Sequence, residues 1–326
     1  MSDQTDIASL LRESSRVIVI APHPDDESLA TGGLIQRALE TGVKVSVVVL
    51  TDGDMNPWPQ RAAERKLVVT RADRERWGRR RRQEAIAALS QLGVGSRDVL
   101  HLGLPDMGIT RRLESDPAGV YDPLATLFRD NLPSIVVAPS LRDTHPDHSA
   151  ANVMTSLALS RSGCDAKLLS YMVHGADAQF GNRLPLDTTI RARKFAALEE
   201  HRTQLQLSRA RMLRYAERPE RFAVERAMPS PRNAGVAAVL PWRVSALALL
   251  FVSVLIVAGD GSLRISPVRD SQTRAVEPPS CVRLAHGYLE LRLPASLVNV
   301  GPVFARLESR VTSPWIYDRW GWARLA

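Results

Sequence analysis

The sequence has few cysteines and lacks the marks of a secreted protein. Its 326 residues include two cysteines, Cys164 and Cys281, too few for a disulfide-stapled scaffold or a cysteine-rich zinc fold. The first twenty residues show no basic segment followed by an apolar stretch and a small-residue cleavage site, so no secretory signal is indicated. With 24% charged and 44% hydrophobic residues, the chain is not of disordered composition and can bury a sizeable core. We therefore expect a cytoplasmic protein with one large domain or two unequal domains.

Motifs that identify several common enzyme classes are also missing. No Gly-x-Gly-x-x-Gly pattern follows the first predicted strand, which argues against a dinucleotide site, and no Walker phosphate loop is present. No Gly-x-Ser-x-Gly elbow supports a serine hydrolase. The chemistry of this chain must therefore come from other residues.

One apolar run is a candidate membrane segment. Residues 244–258 form a stretch of fifteen residues without a charge. A spanning helix needs roughly 20 predominantly apolar residues, and the Gly-Asp-Gly sequence that follows is typical of a hairpin turn. We predict one or two buried strands here, and membrane contact is the less favoured alternative.

The net charge of +8 is concentrated in one segment. Residues 61–82 hold nine arginines and Lys66 against Glu64, Asp73 and Glu75, a net charge of +7. Such a run is often only a solvated helix face, but it can also form a basic rim that attracts an anionic substrate, such as a phosphorylated sugar or lipid headgroup. No zinc finger or RNP motif accompanies it, so we expect no nucleic-acid partner.

Apolar, β-branched runs alternate with helical patterns in the first half of the chain. Strands joined by helices are typical of a parallel sheet with right-handed crossovers. We predict an α/β fold with a Rossmann-like, mostly parallel sheet flanked by helices. The predicted strands are residues 16–20, 43–50, 99–102, 134–139 and 167–173, and the predicted helices are residues 28–41, 77–92 and 149–160.

The last third of the chain has a different pattern. Pro219, Pro229 and Pro231 lie in an arginine-rich stretch, which is typical of a boundary. Beyond it, residues 287–293 alternate apolar and polar side chains as a strand does. We predict one domain over residues 1–228 and a small β-rich C-terminal region of unknown role over residues 229–326.

Two loops at the same predicted sheet edge carry reactive side chains. Residues 21–27 (Ala-Pro-His-Pro-Asp-Asp-Glu) follow the first strand, and residues 141–148 (Leu-Arg-Asp-Thr-His-Pro-Asp-His) follow the fourth. Ligand sites in parallel sheets lie beyond the carboxyl ends of the strands, and each proline holds the preceding histidine off a helical path. Two histidines and a carboxylate could bind a catalytic zinc ion, or iron in an oxygenase. The alternative is that the histidines only cap helices or bind the loop backbone.

These loops carry a family resemblance. Pro22-His-Pro-Asp-Asp-Glu27 together with His145-Pro-Asp-His148 resembles the LmbE/PIG-L family of zinc-dependent N-acetylglucosaminyl de-N-acetylases. The resemblance covers about residues 14–210, and residues 81–93, 102–108 and 194–204 support it. It implies an enzyme of the same fold class as the one predicted from the strands.

The resemblance implies roles for the residues of the two loops. Asp25 would be the general base, which takes a proton from the attacking water and returns it to the leaving amine. His145 would stabilise the oxyanion as a cation or act as general acid, and Asp147 would orient it or balance its charge. The implied ligands of Zn2+ are His23, Asp26 and His148.

Two further residues are implied as substrate contacts. Arg81 is the stronger candidate and Asp106 the weaker one. Arg81 could instead pair with Glu84 on the helix surface, because residues three apart are neighbours on a helix.

We therefore expect a metal-dependent hydrolase that removes an N-acetyl group from an N-acetylglucosamine-type sugar conjugate, such as a glycan or a glycolipid. Two alternatives stay open: a non-haem iron oxygenase with the same ligands, and a non-catalytic carbohydrate-binding protein with a degenerate site. Asp25 argues against the second, because a pure binding protein has no need of a base. A deacetylase anchored in a membrane through residues 244–258 is a further alternative.

Overall fold

Strands alternate with helices up to residue 225, and the described residues beyond it lie mainly in strands. The computed structural model describes residues 6–176, 180–225, 236–243, 245, 251–259, 261–265, 281–293, 301–309 and 320–325. Its helices are α1 Ile7–Arg12, α2 Asp26–Glu40, α3 Pro57–Glu64, α4 Arg71–Gln91, α5 Ile109–Ser115, α6 Pro117–Asn131, α7 Pro146–Ser162, α8 Thr188–Glu200 and α9 Arg202–Leu213. Its strands are β1 Arg16–Ala21, β2 Lys44–Thr51, β3 Val99–Leu104, β4 Ile135–Pro139, β5 Lys167–Tyr171, β6 Asn182–Leu184, β7 Glu220–Glu225, β8 Val236–Arg243, β9 Val252–Ala258, β10 Gly261–Ile265, β11 Cys281–Ala285, β12 Tyr288–Leu293, β13 Phe304–Ser309 and β14 Trp322–Arg324.

The first of two structural units contains a seven-stranded sheet. The unit comprises Met1–Ile109, Asn131–Ser140 and Asp165–Glu225, and the strand order is β3-β2-β1-β4-β5-β7-β6. The five strands from β3 to β5 are parallel, whereas β7 is antiparallel to both β5 and β6. Helix α2 packs on β1 and β2, and α8 packs on α2 and α4. The predicted α/β fold with a mostly parallel sheet is confirmed.

The central strands are buried because their sequences are continuous apolar runs. In β1 every residue from Val17 to Ala21 is fully buried, and so are the four residues Ile135 to Ala138 of β4. Strands covered on both faces need such runs rather than an alternating pattern. This burial fixes where β1 and β4 end and therefore where the two His-Pro-Asp loops begin.

The direction of strand order reverses at β1. β2 lies on one side of β1 and β4 on the other. Because β1 ends at Ala21 and β4 at Pro139, the chain leaves these neighbouring parallel strands at the same edge of the sheet. A reversal of this kind is where open parallel sheets bind their ligands.

A buried ion pair ties α8 and β7 to α2, the helix that follows the first loop. Lys194 of α8 lies 2.5 Å from Glu220 of β7, and both side chains are almost completely buried. The Glu220 carboxylate also accepts hydrogen bonds from the backbone amides of Gly33, at 2.6 Å, and Leu34, at 2.8 Å. These contacts satisfy the buried charges and hold α2 in place.

The second unit contains the strands of the C-terminal region. It comprises Thr110–Asp130, Leu141–Cys164 and Arg226–Ala326. Strands β10-β9-β13-β14 form one sheet and β11-β12-β8 another, and every pair in them is antiparallel. Their shared core includes Leu240, Ile256, Leu289 and Val303. The predicted β-rich C-terminal region is confirmed.

The apolar run at residues 244–258 contributes strand β9. All of Val252–Ala258 is buried, which confirms a buried strand in this part of the run, whereas residues 244 and 246–250 lie outside the described residues. No helix in the described part of the chain is long and apolar enough to cross a bilayer. The predicted boundary between residues 228 and 229 also lies outside the described residues and stays a prediction.

Candidate active site

His23 is held at the end of β1 by carboxylates on both sides of its ring. Its backbone N–H donates to Asp26 Oδ2 at 2.9 Å, and its Nδ1 lies 3.2 Å from the same oxygen. Its Nε2 lies 3.2 Å from Asp106 Oδ1, and Asp106 Oδ2 accepts from the Met55 amide at 2.7 Å. Burial alone would raise the pKa of Asp106, but the hydrogen bond and charge of His23 outweigh it and lower this pKa. The loop therefore presents a buried imidazole between two carboxylates.

Asp25 has a φ of 146°, a backbone conformation that residues other than glycine rarely adopt. Such residues carry strain of about 1–3 kcal/mol and are concentrated at functional sites. Its N–H donates to Glu27 Oε2 at 3.0 Å, and its carbonyl accepts from the Leu29 amide at 2.9 Å. Burial raises the pKa of the Asp25 carboxyl to about 6, and the Arg81 guanidinium partly opposes this. A carboxyl with this pKa can take up and release a proton near neutral pH.

Arg81 is buried and braces the first loop. Its guanidinium donates to the carbonyl of Gly53, to the carbonyl of Pro24 at 2.8 Å and to Asp25 Oδ2 at 3.2 Å. Gly53 has φ +61°, and a Cβ there would collide with this guanidinium. The alternative partner Glu84 instead accepts a hydrogen bond from the start of α9. The surface Arg81–Glu84 pair that the sequence allowed is therefore not formed.

Glu27 and His201 extend the network behind the first loop. Besides the Asp25 amide, the buried Glu27 carboxylate accepts from the Ser28 hydroxyl at 3.0 Å, and His201 Nε2 lies 3.4 Å from Glu27 Oε1. Burial alone would lower the pKa of His201, but the hydrogen bond and charge of Glu27 outweigh it and raise this pKa. Neither residue has a functional role predicted from the sequence, because the pairing joins distant parts of the chain. The available signals are the third acid of the Asp-Asp-Glu run and the place of His201 within residues 194–204, which support the resemblance.

Asp143 organises the second loop, which belongs to the second unit. Its Oδ1 accepts from the His145 amide at 3.0 Å, and its Oδ2 lies 3.1 Å from His148 Nδ1. The side chains of Asp143 and His148 are completely buried. A carboxylate on one ring nitrogen fixes the tautomer and directs the other nitrogen. Asp143 has no predicted role, although its place in a loop with two histidines is an available signal.

His145 caps the amino terminus of α7. Its Nδ1 accepts from the Asp147 amide at 3.3 Å, so the proton of the neutral ring is on Nε2. The His145 and His148 rings are 4.9 Å apart. Asp147 contacts His145 through its backbone amide, and the side chain of Asp147 is buried. The catalytic roles of His145 and Asp147 stay predictions.

Ion pairs neutralise much of the arginine-rich segment. The three acids of residues 61–82 are paired with Lys66, Arg71 and Arg76, and Arg80, Arg81 and Arg82 pair with carboxylates outside that segment. The arginines of this segment with no carboxylate in ion-pair distance among the described residues are Arg61, Arg65, Arg74 and Arg79. The run is therefore in large part a paired helix face with a smaller surplus of positive charge. Its attraction of an anionic substrate stays a prediction.

Known proteins resemble this chain over its amino-terminal half. Residues 18–159 match the PIG-L family, described as GlcNAc-PI de-N-acetylase. Diacetylchitobiose deacetylase of Thermococcus kodakarensis is 28% identical over 165 residues, which are 50% of this chain and 55% of that protein. The 1D-myo-inositol 2-acetamido-2-deoxy-alpha-D-glucopyranoside deacetylase of Mycobacterium avium is 34% identical over 151 residues, 42% of this chain and 49% of that protein. The chain thus spans about half the length of these curated relatives.

A solved structure shares the fold. N,N'-diacetylchitobiose deacetylase from Pyrococcus horikoshii, in complex with its inhibitor MPG, superposes with a TM-score of 0.53 at 21% identity. The likeness covers 68% of this chain and 87% of that one. The match of residues 18–159 to the PIG-L family model confirms the resemblance predicted from the two His-Pro-Asp loops.

Proposed function

We propose that this chain is a Zn2+-dependent de-N-acetylase that hydrolyses the acetamide of an N-acetylglucosamine-type sugar conjugate. The observation that carries the proposal is the position of the two His-Pro-Asp loops, which follow neighbouring parallel strands inside the segment that matches the PIG-L family. Relatives whose names specify deacetylation of N-acetylated sugars support the same reaction.

The first loop fits a zinc ion. Zinc binds nitrogen and oxygen at about 2.0–2.1 Å in a tetrahedral arrangement, which sets neighbouring ligand atoms about 3.3 Å apart. His23 Nδ1 and Asp26 Oδ2 are 3.2 Å apart, and both residues are buried. Asp106 on the opposite ring nitrogen is the kind of partner that orients a metal-binding histidine.

We propose His148 as the third ligand. Because its Nδ1 faces the Asp143 carboxylate, Nε2 is the nitrogen that would bind the metal. The donor set of two imidazoles and a carboxylate suits catalytic zinc.

Asp25 is proposed as the proton carrier. A bound Zn2+ would supply Lewis acidity, which lowers the pKa of water to about 7 and polarises an amide carbonyl. Asp25 would accept the proton of the attacking water and return it to the leaving amine. Burial raises the pKa of its carboxyl to about 6, and the contact with Arg81 fixes its position.

His145 is proposed as the group that stabilises the oxyanion. Since its Nδ1 accepts from the Asp147 amide, the neutral ring can donate through Nε2 to the negative charge that develops on the carbonyl oxygen. Asp147 therefore orients His145 through its backbone.

Arg81 and Asp106 are proposed to act next to the substrate. Each also positions a residue of the first loop, since Arg81 holds Asp25 and Asp106 holds His23. A substitution at either position should therefore affect both binding and catalysis.

The proposal is tested by incubating the protein with N-acetylglucosamine conjugates and measuring the free amine. We expect release with Zn2+, loss of release after chelation, and recovery when Zn2+ is restored. Asp25→Asn should bind Zn2+ as the wild type does but release no amine. Release that survives full chelation, or no release from any conjugate by protein with bound zinc, would contradict the proposal.

A further inference from the structure

Four large apolar side chains are exposed in the segment between β2 and α4. They are defined here as the apolar patch: Met55, Trp58, Leu67 and Val68, with 43%, 59%, 90% and 74% of their surface exposed. Single exposed apolar residues need no explanation, but a cluster marks an interaction site. None of the catalytic roles proposed above accounts for it.

Contacts within the segment fold it back between Trp58 and Leu67. The Trp58 ring lies 5.1 Å from the guanidinium of Arg61, and the Arg61 carbonyl accepts from the Lys66 amide at 3.2 Å, directly before Leu67. Arg65 takes the left-handed conformation, φ 53°, that ends α3 and turns the chain at this point. Trp58, near the start of α3, and the exposed Leu67 therefore belong to one folded connection between β2 and α4.

The patch is accompanied by positive charge. Among the described residues no carboxylate lies within ion-pair distance of Arg61, Arg65 or Arg74, and Arg74 interacts electrostatically with Asp54 over a longer distance. Arg61 stacks on Trp58, and Arg74 donates to the Met55 sulfur at 3.6 Å. Arginine next to exposed tryptophan and aliphatic side chains is the combination that binds the headgroup region of an anionic lipid surface.

The patch is connected to the site by short contacts. The segment follows β2, the neighbour of β1, and the Met55 amide donates to Asp106, which in turn contacts His23. Trp58 is three residues from Met55, so their Cα atoms are at most about 11 Å apart. A surface bound by the patch would therefore lie close to the edge where the first loop opens.

We propose that the apolar patch and its arginines dock this protein on an anionic lipid surface, so that the sugar headgroup of a glycolipid reaches the site. The choice of glycolipid rests on the proposed function, whereas the docking itself does not. Docking does not require a spanning helix, because the apolar side chains enter only the headgroup boundary.

Co-sedimentation with vesicles tests the docking without any enzyme assay. The full chain is mixed with phosphatidylcholine vesicles or with vesicles of phosphatidylcholine and phosphatidylglycerol, at low and high salt. We expect binding to the anionic vesicles that weakens as salt screens the charges. Arg65→Gln with Arg74→Gln should weaken it about 30-fold, since each arginine near an anionic surface contributes roughly fivefold. Leu67→Ser with Val68→Ser should weaken it about tenfold or more.

The matched controls are Leu207→Ser, another exposed leucine, and Arg97→Gln, another exposed arginine, which should bind as the wild type does. Circular dichroism of each variant confirms that it is folded. No binding to anionic vesicles at low salt, or unchanged binding by the Leu67→Ser, Val68→Ser variant, would overturn the proposal. Asp25→Asn should bind vesicles normally, so a failure of docking and a failure of the proposed reaction can be distinguished.

Discussion

The Asp143–His148 pair offers a sharp test of how the metal would be held. Asp143→Asn keeps the size of the side chain. It also keeps an oxygen that can accept from the His145 amide, which lies 3.0 Å from Asp143 Oδ1 in the wild type. The new amide group would face His148 Nδ1, now 3.1 Å from the carboxylate. As a donor it favours the tautomer with an unprotonated Nδ1, which puts the proton on Nε2 and blocks the nitrogen proposed to bind zinc. Because both side chains are completely buried, water cannot readily replace the lost carboxylate.

The expected loss of zinc affinity can be taken from other metal sites in which a carboxylate hydrogen-bonds a metal-binding histidine. Loss of a carboxylate behind a metal-binding histidine lowers metal affinity about 10–100-fold, which is about 1.4–2.7 kcal/mol. Competition with a chromophoric chelator measures this without substrate. His148→Ala should lose more affinity than Asp143→Asn, and Asp130→Asn, on the exposed surface of the same unit, should lose none. Zinc affinity of Asp143→Asn within twofold of the wild type, in a folded protein, would refute this account of His148.

Three other predictions concern catalysis, pH and stability. Asp25→Asn should lower kcat by about 10²–10⁴ with bound zinc unchanged, since general acid–base catalysis contributes that much; a kcat within tenfold would argue against its role. Asp25 must be ionised to accept a proton, and its pKa is raised to about 6, so kcat/KM should rise with pH. The inflection should lie at or below about 6, because a bound cation lowers that pKa. An inflection well above 6 would assign the base to another group. Lys194→Met should lower the free energy of unfolding by about 3–5 kcal/mol, because it leaves the Glu220 carboxylate buried without its cation, and chemical denaturation measures this.

Controls for the ion-pair prediction come from the same site. Adding Glu220→Gln to Lys194→Met should recover part of the lost stability, because the neutral amide can still accept from the Gly33 amide. The double-mutant cycle isolates the pairwise contribution. Additive effects of the two substitutions would contradict the inferred coupling.

Much of the fold can be predicted because the sequences of its central strands are uninterrupted apolar runs. The apolar runs at residues 16–20 and 134–139 predict buried strands, and β1 and β4 form where expected. The C-terminal strand β9 is also predictable, since fifteen apolar residues are too few to span a bilayer. The predicted extent of α4 is too short: the helix begins at Arg71 rather than at Trp77, because a capping box of Thr70 and Asp73 starts it earlier.

The candidate site is predictable where its residues are adjacent in the chain. His23, Asp25 and Asp26 lie in one short loop, and the motif places them at the end of a strand. The burial of Arg81 is harder to foresee in a run of four arginines, although Trp77 and Ala85, one turn away on either side, are also buried and mark the inward face of the helix.

Contacts between distant segments cannot be predicted in this way. The pairing of Glu27 with His201 depends on where α8, which ends just before His201, packs against α2, and no local pattern specifies this packing. The hydrogen bond between Met55 and Asp106 likewise joins two loops after different strands. Such contacts follow from tertiary packing, which a single sequence does not encode in its periodicity.

Turnover of an N-acetylglucosamine conjugate in ¹⁸O-labelled water under argon shows whether the protein is a hydrolase. The zinc-loaded protein should release acetate and free amine in equal amounts, with the label of the water in the acetate. In a separate run in unlabelled water, admitting ¹⁸O₂ should neither change the rate nor label the products. Acetate without the water's label, or turnover that requires oxygen and takes its label, would show that the two His-Pro-Asp loops support a different reaction.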